Sequence, residues 1–378
     1  MRAPIARAAS ITRRTALAFA LAGCARPAPP SAPQASVAFD EAHPYIVFPL
    51  TIGGKPARAL LDNGAPLCEV DKAFAAASGF AMGAPFGGDE FLKALPFAVG
   101  SQSLLVEPTL DDLSELALET EQAAVAVAGK DLFREYIVGL DFGPKTLSLY
   151  QRDDFEPPST AVLQPLTMQT RAEPAINLVI DGIAIQGIID LGCTAPVLVS
   201  QAFARAHEIG KGRAASSRLA FIAQGERMVP VLSPVTSAGA VVLAGYTIAD
   251  VPVSIMPDKA GPFAAYDVVI GVSLLRCFDL ILDLPGRLWT IPTPRLAQPI
   301  ERRFTGIQIK PEGPALRIRY IGPGSPAQAA GLAAGDLITA IDDAPPTAKV
   351  LREAKPGQVL NVKLSTGVVK AVAAARYY

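Results

Sequence analysis

The chain has 378 residues, half of them hydrophobic, and a formal net charge of −1. This length predicts about two to three domains, and the apolar content is sufficient for well-packed cores. The nearly balanced charge offers no basis for binding nucleic acid. The 34 prolines and 31 glycines favour a turn-rich β protein over a helical bundle.

The first 24 residues are predicted to be an export peptide that lies outside the fold. Residues 1–14 contain four Arg and no acidic residue, and residues 15–21 are an apolar run too short to span a bilayer as a mature helix. The following Leu21-Ala22-Gly23-Cys24 resembles the processing signal of bacterial lipoproteins, in which the Cys is lipidated. That resemblance implies an exported, periplasmic protein anchored to a membrane through Cys24. The alternative is an ordinary cleaved signal peptide with an incidental Cys.

Four further segments follow the export peptide. Residues 25–43 begin with a Pro-, Ala- and Ser-rich stretch and are predicted to be an extended tether. Residues 44–155 and 156–298 are predicted to form two lobes. The character of the sequence changes after Pro294, and residues 303–378 are predicted to form a separate C-terminal domain.

Two similar turns, each bearing an acidic residue, organise the predicted lobes. An apolar run leads into Asp62-Asn63-Gly64, and a second leads into Asp190-Leu191-Gly192. A Gly in the second place after each Asp permits a tight turn whose backbone N–H groups face the carboxylate. Isolated Asp-x-Gly triplets are common in plain turns, so the flanking residues decide whether these two are related.

The flanking residues of the two turns match. The same distance separates Gly54 from Asp62 and Gly182 from Asp190, and both glycines lie in pairs typical of tight hairpins. Similar helix starts come after the turns, at residues 70–75 and 199–204. Each half is predicted to close on an apolar strand with a Gly, a turn and a further strand, at residues 136–141 and 146–150, and at residues 268–275, 280–283 and 288–291. Such an internal repeat predicts two similar lobes.

These motifs resemble the retropepsin-like aspartic proteases, in which an apolar strand leads into Asp-Thr/Ser-Gly and a later apolar-apolar-Gly motif packs beneath the acid turn. The resemblance covers residues 44–294. It implies a mainly β fold with two retropepsin-like β-barrel lobes in one chain, which we expect to be a monomer. It also implies that Asp62 and Asp190 form a catalytic pair that activates water and cleaves a peptide or protein substrate without a cofactor.

One position of the acid turns departs from the family pattern. The family has a hydroxyl residue between Asp and Gly that hydrogen-bonds across the lobe interface. Asn63 has a donor and an acceptor, whereas Leu191 has neither, so the support given by Asn63, Gly64, Leu191 and Gly192 is expected to be weakened. Two functions stay open: an active envelope endopeptidase, or a catalytically impaired protein that binds peptides or acts as a scaffold.

The C-terminal domain resembles the PDZ domains of bacterial exported proteases. The resemblance rests on a Ser-Pro-Ala helix start at Ser325, an Ala-Gly-Leu, and Gly335-Asp336-Leu337-Ile338. It implies that peptide C-termini add a strand to a sheet edge. The residues it assigns to that site are Phe304, Thr305, Gly306 and Ile307 in the carboxylate-holding loop and Ile309 on the edge, facing a helix at residues 347–354. The alternative is a degenerate PDZ domain that braces the two lobes.

The remaining reactive side chains indicate no other chemistry. With only His43 and His207, the sequence offers no His/Cys metal constellation, and no cofactor is expected. Cys68 and Cys193 follow the two acid turns and are interpreted either as a disulfide across the lobes or as small buried residues. Residues 82–90 are predicted to form a loop over the cleft between the lobes.

Overall fold

The computed structural model describes residues 30–42, 45–114, 116, 124–153, 155–168, 173–224, 227–257, 266–284, 286–300 and 302–378. The export peptide and the lipidation site at Cys24 lie outside these residues. Within the described part of the chain, no helix is both long and apolar enough to cross a bilayer.

Lobe 1 is built around one eight-stranded sheet with the order β7-β6-β3-β4-β9-β5-β8, to which β2 adds beside β3. Its strands are β2 (Asp40–Ala42), β3 (Tyr45–Ile52), β4 (Lys55–Leu61), β5 (Glu69–Asp71), β6 (Leu95–Val99), β7 (Gln102–Val106), β8 (Thr109–Asp111) and β9 (Ala126–Ala128). Its helices are α1 (Lys72–Ser78) and α2 (Lys130–Glu135). The Asp71 side chain caps α1 by accepting the N–H of Phe74, and Gly79 ends the helix in the left-handed region.

Lobe 2 repeats this plan in an eight-stranded sheet with the order β13-β14-β15-β20-β16-β19-β18-β17. Its strands are β13 (Thr167–Met168), β14 (Pro174–Ile180), β15 (Ile183–Asp190), β16 (Val197–Ser200), β17 (Ser216–Gln224), β18 (Arg227–Leu243), β19 (Tyr246–Met256) and β20 (Val268–Gly271). Its helices are α3 (Gln201–Ala206) and α4 (Val272–Leu275). Ser200 caps α3 as Asp71 caps α1, by accepting the N–H of Phe203.

A third sheet joins the lobes. Its strands are β1 (Ala35–Ala38), β10 (Ile137–Asp141), β11 (Thr146–Tyr150), β12 (Val162–Pro165), β21 (Phe278–Asp283) and β22 (Arg287–Pro292), in the order β1-β11-β10-β21-β22-β12. The junction is the antiparallel pair β10–β21, in which Gly139 lies opposite Ile281. One hydrophobic core runs continuously through both lobes and this sheet. The two lobes are therefore one packed unit.

The predicted tether is shorter than the sequence indicated. Residues 35–42, placed in the tether above, form β1 and β2 instead, and β1 pairs with β11 so that Ala35 lies opposite Leu149. Ala35 and Phe39 are buried in the main core. The Pro-rich stretch before them masked this alternation of apolar residues.

The repeat of the closing strands is also corrected. The predicted repeat of residues 136–141 and 268–275 equates Gly139 with Gly271, but the structural counterpart of Gly271 is Gly129. Strand β4 runs parallel to β9, with Leu61 opposite Ala128, just as β15 runs parallel to β20, with Ile189 opposite Ile270. Strand β10, which holds Gly139, belongs with β21 instead. Strand β9 is short and Ala-rich, and its pairing with β4 and β5 identifies it as a strand.

The C-terminal domain has its own five-stranded sheet and its own core. Its strands, in the order of the sheet, are β23 (Ile307–Glu312), β24 (Ala315–Ile321), β25 (Leu337–Ile341), β26 (Val359–Leu364) and β27 (Val369–Ala373). Its helices are α5 (Pro326–Ala329) and α6 (Ala348–Arg352), and a 3₁₀ helix (Pro294–Ala297) lies in the connection from lobe 2. Strand β23 is the edge strand on one side of this sheet.

The C-terminal domain docks on the outer strand of the β17–β18 hairpin of lobe 2. The Gln308 amide accepts the N–H of Leu219 at 2.6 Å and donates to the Leu219 carbonyl at 2.7 Å. The hydroxyls of Ser217 and Tyr320 are hydrogen-bonded at 2.6 Å. A side-chain amide thus satisfies backbone groups at the edge of β17, which blunts that edge against other strands.

Candidate active site

Strand alternation directs both aspartates to the same face of their lobes. Along β4, Ala59 and Leu61 are buried in the main core, so Leu60 and Asp62 point to the opposite face. Along β15, Ile189 is in the main core, and Ile188 and Asp190 point away from it. We call these two outward faces the cleft faces.

Each Asp is held by the backbone of its own turn. The Gly64 N–H donates to Asp62 Oδ1 at 2.7 Å. The Gly192 and Cys193 N–H groups donate to Asp190 Oδ1 at 2.8 and 3.0 Å. These short bonds fix the carboxyl groups, as the Asp-x-Gly spacing predicts.

The two turns meet across the lobe interface. The Asp62 carboxyl group faces the side chain of Asp190 and the backbone of Gly192. A Cβ atom on Gly192 would lie 2.3 Å from Asp62 Oδ2, and one on Gly64 would lie 3.0 Å from Asp190 Oδ1. The absence of side chains at both glycines therefore permits the two carboxyl groups to approach each other.

The shared environment alters the protonation of both acids. Burial raises the pKa of Asp62, against the effect of the N–H groups of its turn. Burial raises the pKa of Asp190 well above the ordinary value, and the nearby charge of Asp62 raises it further. Two carboxyl groups this close do not ionise together at modest cost, so the pair holds one proton over a wide pH range.

Asn63 supplies a cross-lobe link that the sequence analysis expected to be weak. Its side chain is fully buried, and its Nδ2 donates to the Ile189 carbonyl at 2.8 Å. Its Oδ1 accepts the N–H of Leu191 at 2.8 Å. One amide thus makes both bonds from a single lobe, and Leu191 contributes its backbone and a fully buried apolar side chain. The expectation of a weakened link is corrected, because an amide has a donor and an acceptor.

A glycine packs beneath each acid turn. A Cβ atom on Gly129 would lie 2.0 Å from the Leu67 carbonyl oxygen, and one on Gly271 would lie 2.1 Å from the Ala195 carbonyl oxygen. Any side chain at either position would push the turn outward. These glycines therefore determine the positions of the two acid turns, and so the position at which Asp62 and Asp190 meet.

Residues 82–92 form a hairpin beside the cleft, with bridges between Met82 and Leu92 and between Phe86 and Asp89. The charge of Asp89 helps to raise the pKa of Glu69, whose side chain lies on the cleft face of lobe 1. The tip of the hairpin is therefore within electrostatic range of that face, and its role as a loop over the cleft stays a prediction. Phe86 at the tip is 80% exposed.

Glu69 is a residue of the site that sequence reasoning missed. It lies between Cys68 and Val70, which are both buried in the main core, so strand alternation places it on the cleft face. Burial raises its pKa to about 7, and the charges of Asp62, Asp111 and Asp89 add to that effect. The signal in the sequence was an acid between two apolar residues of a strand, directly after an acid turn.

The described residues hold a cavity away from the acid pair, but no disulfide and no metal-binding cluster. A cavity of about 710 Å³ opens in lobe 2 beside β14 and β15, but neither Asp62 nor Asp190 lines it. Cys68, Cys193 and Cys277 are free thiols, so Cys68 and Cys193 are not joined. Among the residues that the structure describes, no group of three or more His, Cys, Asp or Glu is arranged to hold a metal.

The predicted peptide site of the C-terminal domain lies where β23 begins. Phe304 and Ile309 pack at the edge of the domain core, and Ile307 is buried within it. Gly306 has a φ of +76°, and a Cβ atom there would lie 2.1 Å from the Cβ of Ser325. The Thr305 carbonyl accepts the N–H of Ala327 at 3.0 Å. The loop is thus fixed next to an edge strand, and α6 falls within the helix predicted at residues 347–354.

Comparisons with known proteins give one family match and several similar solved structures. Residues 317–355 match the family model of the PDZ domain. No curated protein matches the chain. A retropepsin-like aspartic protease from Rickettsia conorii is similar at 15% identity, over 34% of this chain and 91% of that chain, with a TM-score of 0.27. An aspartic proteinase from Irpex lacteus is similar at 14% identity, over 70% of this chain and 99% of that chain, with a TM-score of 0.45.

Identities this low do not carry an activity from one chain to another. The matched PDZ segment lies C-terminal to Phe304, Thr305, Gly306, Ile307 and Ile309, so their role in peptide binding stays a prediction. The fold class predicted from the sequence is confirmed: the protein is mainly β, with two similar lobes followed by a PDZ domain.

Proposed function

We propose that the protein is an aspartic endopeptidase of the cell envelope. The observation that carries this proposal is the pair formed by Asp62 and Asp190, whose carboxyl groups face each other across the lobe interface and have raised pKa values. An Asp in a plain turn is not expected to face a second buried acid, because the contact costs stability.

The chemistry follows from one proton shared by two carboxyl groups. The ionised carboxylate takes a proton from a water molecule, whose oxygen then attacks the peptide carbonyl carbon. The protonated partner donates a hydrogen bond to the carbonyl oxygen as negative charge develops there. Collapse of the tetrahedral species breaks the C–N bond as the amine nitrogen receives a proton from the pair. No covalent bond to the enzyme forms, and the pair ends with one proton, as it began.

The PDZ domain is proposed to bind the C-termini of peptides at Phe304–Ile307 and along the β23 edge. Support for this role comes from the family match at residues 317–355 and from the position of β23 at the edge of its sheet. We further propose export and membrane anchoring through Cys24, which rest on the N-terminal sequence alone. Metabolic labelling with a fatty acid tests the anchor, and label that persists in Cys24→Ala would refute it.

The peptidase proposal is tested with a peptide library and single-residue variants of the purified protein. Asp62→Asn and Asp190→Asn are expected to lose hydrolysis at acid to neutral pH, because each removes one member of the pair. The matched control is Asp141→Asn, since Asp141 is exposed and accepts the N–H of Gly143 at 3.0 Å in another Asp-x-Gly turn. This control should cleave as well as the wild type.

Two results would refute the proposal. Equal cleavage by the wild type and both dyad variants would show that another group hydrolyses the peptide. An absence of cleavage by well-folded wild type across the library would favour the catalytically impaired, peptide-binding alternative.

A further inference from the structure

The two cleft faces share one framework. In lobe 1, Val127 pairs with Glu69 across β9 and β5. In lobe 2, Val269 pairs with Leu198 across β20 and β16. Because β9 and β20 are the equivalent strands beside the acid turns, Glu69 and Leu198 occupy equivalent positions on opposite sides of the dyad.

The surroundings of these two positions are apolar and equivalent. Leu60 and Val127 are buried in a small cluster on the cleft face of lobe 1, together with Ala65 of the acid turn. Ile188 and Val269 are buried in the corresponding cluster of lobe 2, against which Leu198 packs. The two cleft faces therefore have aliphatic residues at matching places, and at the equivalent positions 69 and 198 lobe 1 has a carboxylate where lobe 2 has an isobutyl group.

Glu69 has no partner that would explain its position. Its backbone pairs with neighbouring strands, but its side chain makes no hydrogen bond or ion pair with any residue that the structure describes, and that side chain is only partly exposed. The charged groups that act on it are acids: Asp62 of the acid turn, Asp111 of β8 and Asp89 of the hairpin. A partly buried carboxylate without a cation costs stability, which a basic ligand would recover.

We propose that Glu69 and Leu198 determine substrate specificity, so that the enzyme selects peptides with Lys or Arg on the lobe 1 side of the scissile bond and an aliphatic residue on the lobe 2 side. This inference rests on the proposed peptidase function. The methylenes of Lys or Arg pack on Leu60 and Val127 while the cationic end reaches Glu69. The aliphatic residue packs on Ile188, Val269 and Leu198.

The pH dependence of this selection follows from the protonation of Glu69. The pKa of Glu69 is raised to about 7 by burial and by Asp62, Asp111 and Asp89. Below that pH the side chain is neutral and distinguishes Lys from Leu poorly. The ratio of kcat/KM for Lys over Leu should therefore increase as the pH rises through about 7, even while the overall rate follows the protonation of the dyad.

The experiment is a positional scan around a cleaved bond, comparing Lys and Leu at each position by kcat/KM. The wild type should prefer Lys over Leu at one position by about 10- to 100-fold, the range expected for a charge-assisted contact in a partly buried pocket. Glu69→Leu, which copies lobe 2, should reverse this preference. Leu198→Glu should create a second Lys preference on the other side of the bond. Glu107→Gln removes an exposed acid of lobe 1 and should leave both preferences unchanged.

A binding measurement separates this inference from the peptidase proposal. Asp190→Asn is titrated with fluorescent Lys and Leu peptides by anisotropy, with and without Glu69→Leu. A Glu69-dependent preference for Lys supports the specificity assignment even where the wild type shows no turnover. Dyad-dependent cleavage with the same Lys to Leu ratio in wild type and Glu69→Leu would overturn the assignment and leave the peptidase proposal intact. Equal binding of both peptides by Asp190→Asn would overturn it as well.

Discussion

Asn63→Ala tests whether one buried amide holds the two acid turns together. The change removes the donor that satisfies the Ile189 carbonyl and the acceptor that satisfies the Leu191 N–H, both at 2.8 Å. Each buried polar group left without a partner costs about 1–3 kcal/mol, so the variant should lose about 2–6 kcal/mol of unfolding free energy. Its loss of kcat/KM, expressed as a free energy, should be at least as large, because both turns lose their common support.

Two further substitutions separate hydrogen bonding from loss of volume. Asn63→Leu keeps a large side chain but no polar atom, so it should destabilise the protein as Asn63→Ala does. Asn63→Thr has a hydroxyl that donates to the Ile189 carbonyl and accepts from the Leu191 N–H, and it should recover most of the stability. The control is Asn177→Ala, because Asn177 is exposed and its side-chain amide bonds only to Gln186 among the described residues, at 3.2 Å.

The assay is urea-induced unfolding of the full chain, followed by tryptophan fluorescence, with the midpoint and the slope m fitted for every variant. The reasoning is refuted if Asn63→Ala shifts the unfolding free energy by less than about 0.5 kcal/mol, as expected of surface changes such as Asn177→Ala. A loss in Asn63→Ala that Asn63→Leu restores would also refute it, since the cause would then be packing.

Three other outcomes are expected. Gly192→Ala should reduce kcat by about 100-fold or more, because its Cβ would lie 2.3 Å from Asp62 Oδ2. Gly64→Ala should reduce kcat less, because its nearest contact is at 3.0 Å, and equal reductions would contradict this difference. Leu191→Thr should lower the unfolding free energy in urea by about 1–3 kcal/mol, because it places a hydroxyl at a fully buried apolar position. It should not raise the rate of hydrolysis, because Asn63 already links the turns, and a rise in that rate would contradict this. Gln308→Ala should make the PDZ domain more susceptible to proteolytic release, because two bonds to Leu219 are lost, and unchanged release would show that other contacts hold the domain.

Much of the site was predictable because it is encoded locally and twice. The hairpin glycines, the apolar strands and the Asp-x-Gly turns recur with the same spacing, which predicts two acids in equivalent places. The helix caps at Asp71 and Ser200 also recur, nine and ten residues after the Asp of their turns. A repeat predicts that two elements are alike, and their contact follows only if the lobes pack face to face.

The features that sequence reasoning missed depend on partners far away in the chain. Asn63 is conspicuous only when its bonds to Ile189 and Leu191 are seen, and those residues come from the other lobe. Gly129 follows the short, Ala-rich run Ala126-Val127-Ala128, which carries little strand signal. The larger aliphatic residues around Gly139 resemble the apolar-apolar-Gly motif more closely. Glu69 is one acid among many in the sequence, until its strand neighbours show which face it occupies.

The central claim is that Asp62 and Asp190 share a proton within one folded chain, and the most direct test is the stability of Asp190→Asn relative to the wild type as a function of pH. The folded-state pKa of Asp190 is raised above the ordinary value of 3.8 by burial and by Asp62. Its contribution to stability is therefore present below about pH 3.8 and is lost as the pH rises through the raised pKa.

Asn does not titrate, and it also relieves Asp62 of a charged neighbour. Measured from about pH 3 to pH 7, the stability of Asp190→Asn minus that of the wild type should therefore grow as the pH rises above about 3.8, with Asp141→Asn as the control for removing an Asp from an exposed Asp-x-Gly turn. A difference that stays constant over this range would contradict the shared proton, and with it the proposed peptidase mechanism.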